Sequence, residues 1–289
     1  MWQIFPGGIS MNTQCYMSGY YTGTQGANLY FQGWLPTEIR ALMILLHGSG
    51  EHSGFYSHIG EECLRRHVGL IAPDLRGFGK SDGARGHVNR FQEYLDDLET
   101  LVRRLQKQYP DAPLFLLGHS LGGLIAIRYV QEYTHPVKGA ILSSPVLGIR
   151  IRLPYPLKTV TQWISWLAPN LPVDPFKWNW LKPILLDDPS DTSFDPLFTT
   201  QYTPRWFSEL LQNGAHALSQ AAKCNVPLLC LCGQHDPLID LGAVQRFFQS
   251  ISSEDKVHVV FSEGRHRPLQ EHCRNEALNN VFQWITARL

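Results

Sequence analysis

No apolar run in this chain approaches the roughly 18 residues needed to cross a bilayer, so a membrane-spanning class is not expected. The first ten residues carry neither a basic start nor a long apolar stretch, and no secretory leader is read there. Charge of either sign is not in excess: 25 Lys and Arg face 25 Asp and Glu, no basic cluster stands out, and nucleic acid is not indicated as a partner. The six cysteines are scattered, without a C-x-x-C or a Cys/His spacing that reads as a metal site. Buried free thiols in a reducing, cytoplasmic setting are the expectation. Neither an internal repeat nor a low-complexity tract is found, and neither a cofactor nor a metal is implied.

What the chain does have is core-forming material. Its 289 residues are 44% hydrophobic, which suits one large α/β domain with an insertion. Residues 13–22 and 27–35 read as two strands around the turn-prone Gly23-Thr24-Gln25-Gly26. Residues 41–46 are a fully apolar run, the signature of a central strand, and end in His47-Gly48-Ser49-Gly50. Phe91, Tyr94, Leu95, Leu98, Leu101, Val102 and Leu105 recur at helical spacing up to Tyr109-Pro110.

Strand and helix patterns keep alternating through residues 139–142, then fade between 146 and 222, where five of the eight tryptophans lie (Trp163, Trp166, Trp178, Trp180, Trp206). Alternation resumes with strands at 227–232 and 257–261. Such alternation implies a mostly parallel sheet covered on both faces. The irregular stretch is expected to sit over the carboxyl ends of the strands, where folds of this class bind ligands.

The chemistry centres on residues 114–130. A short apolar strand runs into Gly118-His119-Ser120-Leu121-Gly122, and a helix-compatible segment follows directly. Strand, G-x-S-x-G turn and helix together are the context of a nucleophile elbow, with Ser120 as nucleophile. A serine hydroxyl is a weak nucleophile near neutral pH and needs a base oriented by a third group. Asp236 stands in the loop leaving the strand at 227–232, and His266 in the loop leaving the strand at 257–261. Their order, Ser…Asp…His, fits a triad in which His266 moves the proton and Asp236 orients it.

Asp240 reads instead as a helix cap. His258 falls inside a strand, and His272 lies where the last helix should begin. The backbone N–H groups of Leu121 and Ser49 are the expected oxyanion donors. Glu51 and His52 are read as braces of the loop that holds Ser49. Asp74, Arg76 and Asp82 are read as a structural loop network. The tryptophan-rich stretch is expected to line the site with aromatic surface, which favours acyl chains at roughly 0.8 kcal/mol per buried methylene.

Taken together these residues resemble the α/β-hydrolase fold, and more narrowly its monoacylglycerol lipase and lysophospholipase branch. The narrower resemblance rests on residues 47–54 (HGSGEHSG), 73–83 (PDLRGFGKSDG), 118–123 (GHSLGG) and 233–236 (GQHD). The alternation along the chain gives a core of residues 1–145 and 223–289, with a mostly parallel sheet and helices on both faces, and a cap at 146–222 that matches no motif of the family. The resemblance implies Ser120, Asp236 and His266 as triad, Ser49 and Leu121 as oxyanion donors, and a serine esterase of lipid-like substrates working through an acyl-enzyme. A soluble protein that touches membrane surfaces transiently through the cap fits the same picture.

Other readings stay open on the same fold: a small-ester carboxylesterase, an aminopeptidase, a C–C bond hydrolase, or a non-catalytic ligand-binding protein. An epoxide hydrolase or dehalogenase is disfavoured, because those use an aspartate where this chain has Ser120.

Overall fold

The computed structural model describes residues 14–134, 137–150, 166–177 and 195–289. Its strands are β1 (Gln14–Thr22), β2 (Asn28–Pro36), β3 (Ala41–Leu46), β4 (Val68–Pro73), β5 (Leu114–His119), β6 (Gly139–Ser143), β7 (Leu228–Gly233) and β8 (Lys256–Phe261). They form one sheet in the order β1-β2-β4-β3-β5-β6-β7-β8. β1 and β2 pair antiparallel, as does β2 with β4. From β4 to β8 every pairing is parallel.

The apolar run of β3 shows why the sheet needs cover on both sides. Successive side chains of a strand point to opposite faces. Leu42, Ile44 and Leu46 enter one hydrophobic core, and Ala41, Met43 and Leu45 enter the other. Three helices, α1 (Ser57–Arg65), α2 (Gln92–Gln108) and α3 (Leu121–Glu132), precede the insertion. Next comes α4 (Pro204–Ser219), which falls within the irregular stretch at 146–222 yet packs into the main core, and then α5 (Leu241–Ser250) and α6 (Arg274–Thr286). Helices α2 to α5 cover the first face, while α1 and α6 cover the second through Ile59, Cys63, Val281, Phe282 and Ile285. Each such side chain, fully buried, contributes roughly 1.5–3 kcal/mol of transfer free energy.

Sequence-predicted element ends agree with the observed ones to within about two residues at most strands, which is the scatter that fraying of element ends produces. A 3-10 turn over Ser53–Tyr56 leads into α1. Its entry is fixed by Asp74, whose carboxylate accepts from the Ser53 N–H at 2.7 Å.

Within the tryptophan-rich stretch the expectation of an aromatic lining is not met by Trp206. It is buried in the main core, edge-on to Phe78 and Phe207 and tilted against Tyr202, and its indole N–H donates to the Tyr94 hydroxyl at 3.2 Å. The reason is local. Thr203 caps α4, and the helix packs along α3, where Gln131 Nε2 donates to the Ala217 carbonyl at 2.8 Å. Trp166 is the opposite case, 70% exposed. Trp163, Trp178 and Trp180 lie outside the described residues.

Candidate active site

Neighbouring strands β3 and β5 both deliver loops to the same carboxyl edge of the sheet, at the point where the strand order reverses. Crevices of doubly wound sheets form there. β5 ends in the elbow. Ser120 has φ 51° and ψ −109°, a combination that costs an ordinary L-residue free energy and persists only where the surroundings enforce it.

Two glycines permit the turn. A Cβ on Gly118 would sit 2.3 Å from the Gly122 carbonyl oxygen, and one on Gly122 would sit 2.0 Å from that of Leu46. The turn is pinned by the Ser120 N–H, which donates to the Ser143 carbonyl at 2.9 Å. Ser120 is also the N-cap residue of α3, so the positive end of that helix lies behind its hydroxyl.

Three side chains expected from the sequence meet here. His266 Nε2 lies 3.1 Å from Ser120 Oγ, and His266 Nδ1 lies 2.8 Å from Asp236 Oδ2. Asp236 Oδ1 accepts from the Leu238 and Ile239 N–H groups at 2.8 and 3.0 Å. Burial pushes the Asp236 carboxyl upward, but His266 and those two N–H groups outweigh it and hold the group below the usual carboxylate range. An ionised Asp236 offers an acceptor to a proton on His266 Nδ1. That leaves the Nε2 lone pair directed at Ser120.

The expected oxyanion loop follows β3. Among the described residues, neither the Ser49 nor the Leu121 N–H meets a hydrogen-bond acceptor. His47 shapes the loop's start. It accepts the Leu75 N–H on Nε2 at 2.9 Å and donates Nδ1–H to the Gly48 carbonyl at 2.7 Å. Burial keeps its pKa low, in keeping with that neutral form.

Glu51 braces the same loop, as expected, accepting the Gly48 N–H at 2.9 Å. Its other partners were missed: Tyr56 OH at 2.5 Å and Arg267 Nε at 3.2 Å. Burial raises the Glu51 pKa, yet Arg267, His119, Tyr56 and the Gly48 N–H together bring it down to about 2. Arg267 directly follows His266, and that adjacency was the only signal for it in the sequence. The His52 ring makes its hydrogen bonds elsewhere. Its Nε2 lies 2.8 Å from Asp195, in the irregular stretch, while Nδ1 accepts from the Gly54 N–H.

Asp74, Arg76 and Asp82 hold separate loop junctions and none touches the triad. Asp74 ties Ser53 and Lys80, Arg76 pairs with Asp97 at 2.8 Å, and Asp82 accepts the Asn28 N–H at 2.9 Å. Asp240 caps α5 through the Gly242 N–H at 2.9 Å, which accounts for it without catalysis. His258 lies within β8, away from this cluster.

Residues 37–272 match the serine aminopeptidase, S33, family. The chain belongs to that family. It is 32% identical to phospholipase YtpA of Bacillus subtilis over 80% of this chain and 92% of that protein. It is 30% identical to the monoglyceride lipase of Homo sapiens over 93% of this chain and 90% of the relative. A solved monoacylglycerol lipase from Paleococcus ferrophilus superposes with a TM-score of 0.74 at 25% identity, covering 90% of this chain and 99% of that one. The fold is that of the α/β-hydrolases, and the chain is an ester hydrolase of the monoacylglycerol lipase and lysophospholipase-like branch. No helix among the described residues is long and apolar enough to cross a membrane.

Proposed function

We propose that this hydrolase cleaves carboxylic esters of lipid-like substrates, monoacylglycerols or lysophospholipids, through a Ser120–His266–Asp236 triad and an acyl-enzyme. The observation that carries the reading is the unbroken line from Ser120 Oγ to His266 Nε2 at 3.1 Å and from Nδ1 to Asp236 at 2.8 Å. Ser120 Oγ attacks the acyl carbonyl carbon as its proton passes to His266 Nε2, and Asp236 stabilises the imidazolium that forms. The carbonyl oxygen becomes an oxyanion and receives the Leu121 and Ser49 N–H groups, each worth on the order of 100- to 1,000-fold in rate. Collapse of the tetrahedral intermediate expels the glycerol-type alcohol, which takes the proton back from His266. Water, deprotonated by His266, then releases the fatty acid.

The lipid preference rests on the monoglyceride lipases and the phospholipase among its relatives. The cap is assigned to residues 146–222, between core segments 1–145 and 223–289. Two contacts support its seating over the site: the Thr199 N–H donates to the Gly50 carbonyl at 2.8 Å, and Asp195 meets His52. Trp166, Leu167 and Leu171 are 70%, 69% and 54% exposed, an apolar trio suited to transient contact with a membrane surface from the cytoplasm.

A p-nitrophenyl ester series from acetate to palmitate, run on the wild type and on Ser120→Ala, tests both parts. Rates peaking at medium or long chains and abolished by Ser120→Ala are expected, with fatty acid released from monoacylglycerol or lysophosphatidylcholine. Turnover confined to acetate would overturn the lipid reading and leave a small-ester esterase. Cleavage of aminoacyl amides without any ester hydrolysis would favour an aminopeptidase.

A further inference from the structure

Away from the triad, on the face of the sheet under α5, three metal-ligating side chains converge. Cys230 and Cys232 alternate along β7 and therefore project to one side of it. His258 is the register partner of Cys230 on β8. One ligand atom from each lies within 4.8 Å of the others, and the two sulfurs are 3.8 Å apart. Both cysteines are fully buried, and the His258 Nε2 is buried without a hydrogen-bond partner. Phe248 lies beside the imidazole, tilted by 39° with ring centroids 5.2 Å apart.

We propose that Cys230, Cys232 and His258 form a binding site for a soft d10 divalent cation, zinc being the reference ion, which ties β7 to β8. The reading is independent of the hydrolytic one. Two thiolates held tetrahedrally at a Zn–S distance of about 2.3 Å stand ~3.8 Å apart. The unliganded side chains already have that bite. Closing the imidazole onto the same ion requires a sulfur–nitrogen distance of ~3.6 Å, so from at most 4.8 Å each sulfur–nitrogen gap shortens by no more than ~1.2 Å.

Charge favours the same ion. A lone buried thiolate is costly, but two thiolates, a neutral imidazole and a divalent cation sum to zero. Binding sends the thiol protons to solvent. Thiolate and imidazole donors select zinc-like ions over magnesium or calcium, which take oxygen ligands. β8 is the last strand of the sheet and His258 is only partly buried, so the ion enters from that edge and the fourth position faces it. The clamp would join the two strands whose following loops carry Asp236 and His266.

The test is a titration of the full chain, kept reduced with a phosphine, with Co2+ and then Zn2+. One equivalent of Co2+ should give a thiolate-to-cobalt charge-transfer band that Zn2+ bleaches, and Zn2+ should raise the melting midpoint by several degrees. Cys230→Ser and Cys232→Ser should each abolish the band. If those core variants do not fold, His258→Gln at the sheet edge decides, with an expected loss of at least ~10-fold in affinity. No band in folded wild type would overturn the proposal. So would a band that persists in either Cys→Ser variant, which would place it on other thiols, or an affinity unchanged in His258→Gln.

Discussion

Replacing Glu51 by Gln probes the hidden support of the oxyanion loop. The side chain keeps its shape and one carbonyl oxygen, so the Gly48 N–H retains an acceptor. What is lost is the charge that faces Arg267 at 3.2 Å, with both side chains largely buried. In the folded protein Glu51 titrates at about 2, against 4.5 for an unperturbed group. At about 1.4 kcal/mol per pH unit that gap corresponds to about 3 kcal/mol. Removing one partner of a buried pair costs a similar 3–5 kcal/mol or so, because the other charge is left unpaired.

The folded-state pKa lies below the unfolded one. The stabilisation is therefore complete above pH 4.5 and drains away as pH falls from there toward 2. Urea unfolding of wild type and Glu51→Gln should thus differ by about 3 kcal/mol at neutral pH and converge in acid. Because Gly48 precedes the Ser49 donor, kcat should also drop by roughly 10- to 100-fold with KM little changed. A stability difference under about 1 kcal/mol, or one that stays constant down to low pH, would refute the account of Glu51 as the charged anchor of this loop.

Asp236→Asn should leave the fold intact while lowering kcat on the order of 10,000-fold, since an amide presents the wrong hydrogen-bond pattern to His266 Nδ1; steady-state kinetics beside circular dichroism separates this from unfolding. His119 offers a second acid-sensitive site. Burial, opposed by Glu51 and assisted by the nearby His266, lowers its pKa from 6.5 to about 4. The unfolded chain takes up a proton there first, so stability is full above pH 6.5 and declines as pH falls toward 4. His119→Gln should flatten that part of the stability profile by up to about 3 kcal/mol, read from urea midpoints at pH 7 and 4.

Much of this molecule was legible in one dimension. The apolar run of β3, the G-x-S-x-G turn and the order Ser120, Asp236, His266 are local or ordinal features. Short-range sterics and the two-residue and 3.6-residue periods of strand and helix suffice to read them. Because parallel strands present their carboxyl ends to one edge, knowing which loop follows which strand was enough to bring the three side chains together.

Partners separated along the chain were a different matter. Arg267 and Tyr56 meet at Glu51 only because the loops after β3 and β8 converge beneath the elbow, and Trp206 enters the core only because α4 lies along α3. The Cys230–Cys232–His258 cluster is the plainest instance. Its third member arrives from the neighbouring strand, so no spacing in the sequence announces it. Periodicity decides which face a side chain takes, whereas which charges and ligands meet across elements is decided by packing.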